Sequence, residues 1–185
     1  MASNNVNLGA GAATGMFYTA AAGEALPAYP SADLTGTNWK EAGAVSIDGI
    51  TWNTGKDSKP LRNWAKQIER LIASEEGGSV EAPLLYTTQE TLETIFGEDN
   101  VTVTAANASH GKLISVDVGP GVSGDALAFL FIMKDGDDML MIGTTRGIVR
   151  EVADINFTPT EGITWTATIE ADTWRFLKDD GQVTS

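Results

Sequence analysis

The residues that could do chemistry are few and scattered. Gly119-Pro120-Gly121-Val122-Ser123-Gly124 has the G-x-G-x-x-G spacing of a dinucleotide-binding turn and follows a segment of strand character. That chemistry needs a helix to begin at once, so that backbone N–H groups and the positive end of the helix dipole meet the pyrophosphate. Pro120 removes one N–H and Leu127–Met133 reads as β, so a glycine-rich turn accounts for the run better. Asp135, Asp137 and Asp138 suggest calcium, but an EF-hand loop needs a Glu at its twelfth position, where Arg146 stands. A tight hairpin turn explains Asp-Gly equally well. His110, the only histidine, could pair with Ser109 or Ser115 as base and nucleophile; Ser-His-Gly is also an ordinary turn. The carboxylates could supply a glycosidase pair, which sequence alone cannot match up. The five Trp (39, 52, 64, 165, 174) could line a sugar groove, yet Trp165 alternates with Ile163, Ala167 and Ile169 as a core residue does. No catalytic residue, metal site or cofactor is assigned.

The elements that would carry these residues are mostly strands. Residues 1–38 read as a Gly/Ala-rich arm that orders only by docking, with Phe17, Tyr18 and Tyr29 to dock with. Residues 39–179 read as one β-sandwich or barrel domain with one flanking helix, and 180–185 as a tail. Expected strands are Trp39–Val45, Ile50–Trp52, Val80–Tyr86, Val101–Ala105, Lys112–Val118, Leu127–Lys134, Met139–Thr145, Ile148–Val152, Ile163–Glu170 and Thr173–Lys178, with a polar loop from Asn53 to about Pro60. Trp64 to Ala73 fits helical spacing and strand alternation alike; the Glu75-Glu76-Gly77-Gly78 turn favours a strand hairpin with Val80–Tyr86. Thr87 with Glu90 makes a capping box, Leu92, Ile95 and Phe96 share a face, and Gly97 stops the helix. Ala126–Met133 is apolar at every position, so that strand should be covered on both faces.

Composition narrows the function classes. A chain of 185 residues, 42% hydrophobic, has enough apolar material for one core. It has no stretch of the ~18 apolar residues that a membrane helix needs. No Lys or Arg precedes Lys40, so a secretory signal is not expected, and the lack of cysteine fits a reducing cytoplasm. A net charge of −13 opposes nucleic-acid gripping, which relies on neutralising phosphates. The charge is uneven: Lys56, Lys59, Arg62, Lys66 and Arg70 stand against only Asp57 and Glu69, whereas acids dominate from Glu75 to Asp138. A solvated face explains such runs; a basic strip meeting an acidic face of another copy is the sharper reading.

Several short pieces, in order, carry a family resemblance. These are Asn4 to Tyr18, Gly43 to Trp52 ending in Asp-Gly-Ile-Thr-Trp, Pro60-Leu61-Arg62-Asn63-Trp64, Phe129 to Met141, and Ile163 to Ile169. Together the chain resembles the major tail (tail tube) proteins of siphophages of Gram-positive hosts. The resemblance implies a β-sandwich with a helix, shared with type VI secretion tubes, that self-assembles into stacked hexameric rings. It implies a structural virion tail protein made in the host cytoplasm, and no enzyme. Implied partners are other copies of itself, the tape measure protein, and the tail terminator and distal tail proteins; DNA transits without specific binding, and no membrane is involved. On this reading a 64–86 hairpin helps form the inner sheet, with some of Glu69, Glu75, Glu76 and Glu81 facing the lumen. Phe17, Tyr18, Lys56, Lys59, Arg62, Lys66 and Arg70 make intersubunit or inter-ring contacts, with the arm and the 53–63 loop bridging rings. The rival reading is a monomeric β-sandwich module that binds glycans or a host surface through exposed aromatics.

Overall fold

Period-2 alternation of apolar residues builds two sheets that share one long strand. In the computed structural model the described residues are 17–180, excepting 47, 56–57, 63, 66–67, 74–76, 120–123, 136 and 158–161. The strands are β1 (Phe17–Ala21), β2 (Lys40–Gly43), β3 (Thr51–Asn53), β4 (Ser58–Arg62), β5 (Ile68–Ala73), β6 (Gly78–Leu84), β7 (Val101–Thr104), β8 (Leu113–Val116), β9 (Leu127–Asp135), β10 (Asp138–Val152), β11 (Trp165–Ala171) and β12 (Arg175–Asp179). One helix, α1, spans Gln89–Phe96. The first half of β10 pairs with β9 and β12, and its second half with β11, all antiparallel. The first sheet therefore runs β2-β1-β9-β10-β12 and the second β10-β11-β6-β3.

The change of sheet happens at a bulge. Register with β9 slips between Thr144 and Gly147. The buried Thr144 hydroxyl donates to the Arg146 carbonyl (3.0 Å) and accepts from the Arg146 N–H (3.2 Å), serving groups that the bulge takes out of the ladder. Met139–Thr145 and Ile148–Val152, expected as separate strands, are thus one bent strand. The glycines there mark close approach: a Cβ on Gly147 would stand 3.0 Å from the Glu170 carbonyl oxygen.

β9 separates two apolar cores, as its unbroken hydrophobic run requires. Phe129 and Phe131 face Phe17, Val80, Leu84, Trp165, Ile169 and the apolar side of α1 between the sheets. Ala128, Leu130 and Ile132 point the other way, onto Trp39, Met141 and partly buried Leu26 and Leu34. Segment 22–38 thus covers the outer face of the first sheet. Phe17–Ala21, within the stretch read as an arm, is β1, paired with β9 from Phe17↔Phe131 to Ala21↔Leu127.

The helix begins one residue later than expected. Thr88 is the N-cap, its hydroxyl accepting from the Thr91 N–H at 3.2 Å. Thr87 is engaged elsewhere, as acceptor for the Trp165 indole N–H at 2.9 Å. Gly97 ends the helix at φ 89°, a conformation that costs glycine little. The Thr91 hydroxyl donates to the Ala42 carbonyl (2.6 Å), tying α1 to β2. Replacing Thr88 with Ala should lower stability by about 1 kcal/mol, read as a shifted urea midpoint.

The 64–86 hairpin does not form. β5 pairs with β4, from Ser58↔Ala73 to Arg62↔Ile68, and β6 pairs with β3 and β11. Local alternation shows that 68–73 is a strand but not which strand lies beside it. The end of the expected 53–60 loop is likewise strand β4.

Candidate functional site

Three surfaces stand out, and the first is an excursion of the chain. Asn53 of β3 lies opposite Ser79 of β6, so residues 54–77 leave the sheet and return at the position beside their departure. Within that excursion β4 and β5 pair with each other and with no further described strand. Chain that a sheet does not need is commonly functional. Lys59 and Arg62 stand on β4 and Arg70 on β5, which brings three of the expected contact residues onto one ribbon. Lys56 and Lys66 lie outside the described residues. Trp64, in the turn between the strands, is fully exposed at 103%.

The second surface is the outer face of the β10-β11-β6-β3 sheet. Alternation that buries Val80, Ala82, Ala167 and Ile169 must turn Ser79, Glu81, Thr166 and Thr168 outward. Register sets Thr51, Glu81 and Thr168 in one row and Asn53, Ser79 and Glu170 in the next. Arg150 is ion-paired with Glu170. The face is hydroxylated and acidic. Of the expected lumen residues, Glu81 lies on its strand β6, whereas Glu69 stands on β5, which is not a strand of this sheet; Glu75 and Glu76 lie outside the described residues. The threonines were missed as functional candidates, although their period-2 alternation with Trp165, Ala167 and Ile169 was the available signal.

The third surface is a groove of about 490 Å³ on the outer face of the first sheet. Trp39, Ile132, Met139 and Tyr18 form its apolar floor, Pro30 to Thr35 its wall, and Asp33 and Glu41 its acidic groups. The wall is pinned: Ser31 donates to Asp179 (3.0 Å), and the Thr37 hydroxyl donates to the Leu34 carbonyl (2.6 Å). Hydrogen bonds from the Thr35 backbone N–H and side chain hold the Asp33 carboxyl below the usual carboxylate range. Burial, and then the charge of Glu41, push the Tyr18 phenol above its ordinary value. A second cleft of about 500 Å³ lies beside α1, lined by Glu90, Glu93, Glu98, Asp125 and Lys40.

The ring of Phe17, a residue expected at a contact, is fully buried within the subunit, stacked 4.8 Å from Phe131 and 6.1 Å from Phe129. Its period-2 place on β1 turns it inward, while Tyr18 turns to the groove.

The residues first considered for chemistry are placed as structural groups. His110 sits in a turn, its ring nitrogens 2.8 Å from the Asn107 amide nitrogen and 2.7 Å from the Gly111 carbonyl. Asp138 forms an ion pair with Lys178 at 2.8 Å. Residues 120–123 of the glycine run lie outside the described residues, and the element that follows is strand β9. Trp39 and Trp165 are buried, Trp174 donates to the Gly78 carbonyl, and Trp52 stacks on Phe176, leaving Trp64 as the fully exposed indole.

A family model described as phage tail tube protein matches residues 1–182. No curated protein matches the chain.

Proposed function

The chain belongs to the phage tail tube protein family, a structural family and not an enzyme family, and from that premise we propose that its copies close into hexameric rings that stack into the tail tube. The observation that supports this most is the 54–77 excursion, whose strands β4 and β5 pair only with each other among the described strands. Its basic residues Lys59, Arg62 and Arg70, with Lys56 and Lys66, contact neighbouring copies, whose acidic surfaces attract them. Subunits that meet head to tail around a ring use two different surfaces, as this charge asymmetry suits. Edge strands β2 and β3 each pair with one described strand, which suits them to continue a sheet between subunits.

In this arrangement the outer face around Glu81 lines the lumen. Carboxylates and hydroxyls there repel or ignore phosphate, so DNA slides during ejection without binding. The tape measure protein fills the lumen during assembly, and the tail terminator and distal tail proteins cap the two ends. Residues 1–16 and the 53–63 segment join successive rings. Synthesis takes place in the host cytoplasm, and the siphophage, Gram-positive assignment rests on the sequence resemblance.

Negative-stain microscopy of the purified protein tests the class. Six-fold rings or tubes are the expected result. A monodisperse monomer at every concentration and salt condition tried, including with the tape measure protein present, would overturn it.

A further inference from the structure

We propose that the groove floored by Trp39, Ile132, Met139 and Tyr18 receives Trp64 of a second copy, an inference that rests on the ring-and-tube reading. Trp64 is fully exposed, in the turn of a ribbon that pairs with no further described strand. An indole left in water is poorly placed in a monomer, whereas Trp is one of the residues enriched among interface hot spots. The groove offers an open, partly apolar surface on which an indole can be covered. Its floor is aromatic and aliphatic, and its 490 Å³ lies within the ~300–1,000 Å³ typical of binding pockets.

Charge identifies the occupant further. Asp33 and Glu41 are the carboxyl groups of the groove, and hydrogen bonds from Thr35 favour the charged form of Asp33. Trp64 is flanked by Arg62 and Lys66 in the sequence. A tryptophan with basic neighbours in the sequence thus suits a partly apolar groove with two carboxyl groups in its lining. The cleft beside α1 matches less well: its carboxylates suit cations, but its apolar lining is Ala20, Ala21 and Leu127, with no aromatic ring. The pinned wall at Ser31 and Thr37 means that little ordering is needed when the indole enters.

The chain has no cysteine, which makes cross-linking selective. Two single-cysteine variants, Ala65→Cys beside the indole and Ala32→Cys in the groove wall, are mixed, assembled and oxidised. A covalent dimer on a non-reducing gel is expected from the mixture and not from either variant alone. If tubes form but this link does not, the inference fails, whether the ribbon docks elsewhere or residues 1–16 fill the groove. A link from Ala65→Cys to Glu98→Cys would instead place the ribbon in the cleft beside α1 and overturn the assignment. Trp64→Ala should raise the protein concentration needed for assembly about tenfold or more, with thermal unfolding unchanged. Unaltered assembly of this variant would also defeat the proposal. Should the parent chain form no rings or tubes, the ring-and-tube reading is what fails, and the groove assignment falls with it.

Discussion

Replacing residues 55–77 with Asn-Gly is expected to leave a folded subunit that no longer assembles. The geometry permits the deletion because Asn53 and Ser79 are already antiparallel partners. Thr54 and Gly78 then flank a two-residue loop, for which Asn-Gly is the favoured sequence because both of its residues accept positive φ. None of the registers that join β6 to β3 and β11, or β9 to β1 and β10, involves the deleted residues. Circular dichroism and a urea midpoint close to the parent's would show that the sandwich survives. Sedimentation and microscopy should then show monomers at concentrations where the parent forms tubes. Tubes of normal length from the shortened chain would mean that the excursion is not an assembly element. The reading that assigns it intersubunit contacts would be lost.

Phe131→Ala should have the opposite signature, with the subunit itself failing. Phe131 is 1% exposed and stacks on Phe17 across the β1–β9 pair, in the core between the sheets. Removing a buried phenyl group costs about 3–5 kcal/mol, since the transfer free energy is lost and a cavity remains. Against a typical total of ~5–15 kcal/mol, that is enough to populate unfolded chains. With a urea dependence of ~1–3 kcal/mol per molar, the midpoint should fall by about 2 M. Trp64→Ala is the control, because truncating a fully exposed side chain is expected to change stability by less than about 0.5 kcal/mol. Equal midpoints for Phe131→Ala and the parent would contradict the placement of Phe131 in the core.

Some of this could be read from the sequence, and the rest had a specific reason to be hidden. The strand character of 68–73 was legible, but its partner β4 was not, because Ser58–Arg62 is short, polar and interrupted by Pro60. The place of β1 was hidden for a related reason: Phe17–Ala21 is one strand in a Gly/Ala-rich stretch, and only its pairing with β9 marks it. Glu81 could be nominated for an exposed face, yet the threonines around it were not, since a hydroxyl carries no signal until a sheet aligns several in rows.

The amino-acid sequence by itself determined the acidic balance, the absence of cysteine, the β periodicity, the helix stop at Gly97 and the two-sided cover of Ala126–Met133. It also held the family pattern, and it left no assignable catalytic motif. Tertiary structure alone decided that β10 serves both sheets, that Phe17 points inward, and that β4 and β5 pair with each other and with no further described strand. The physical reason is the same in each case. Period-2 alternation reports which side of a strand is buried, whereas choosing its neighbour takes contacts between residues far apart in the chain.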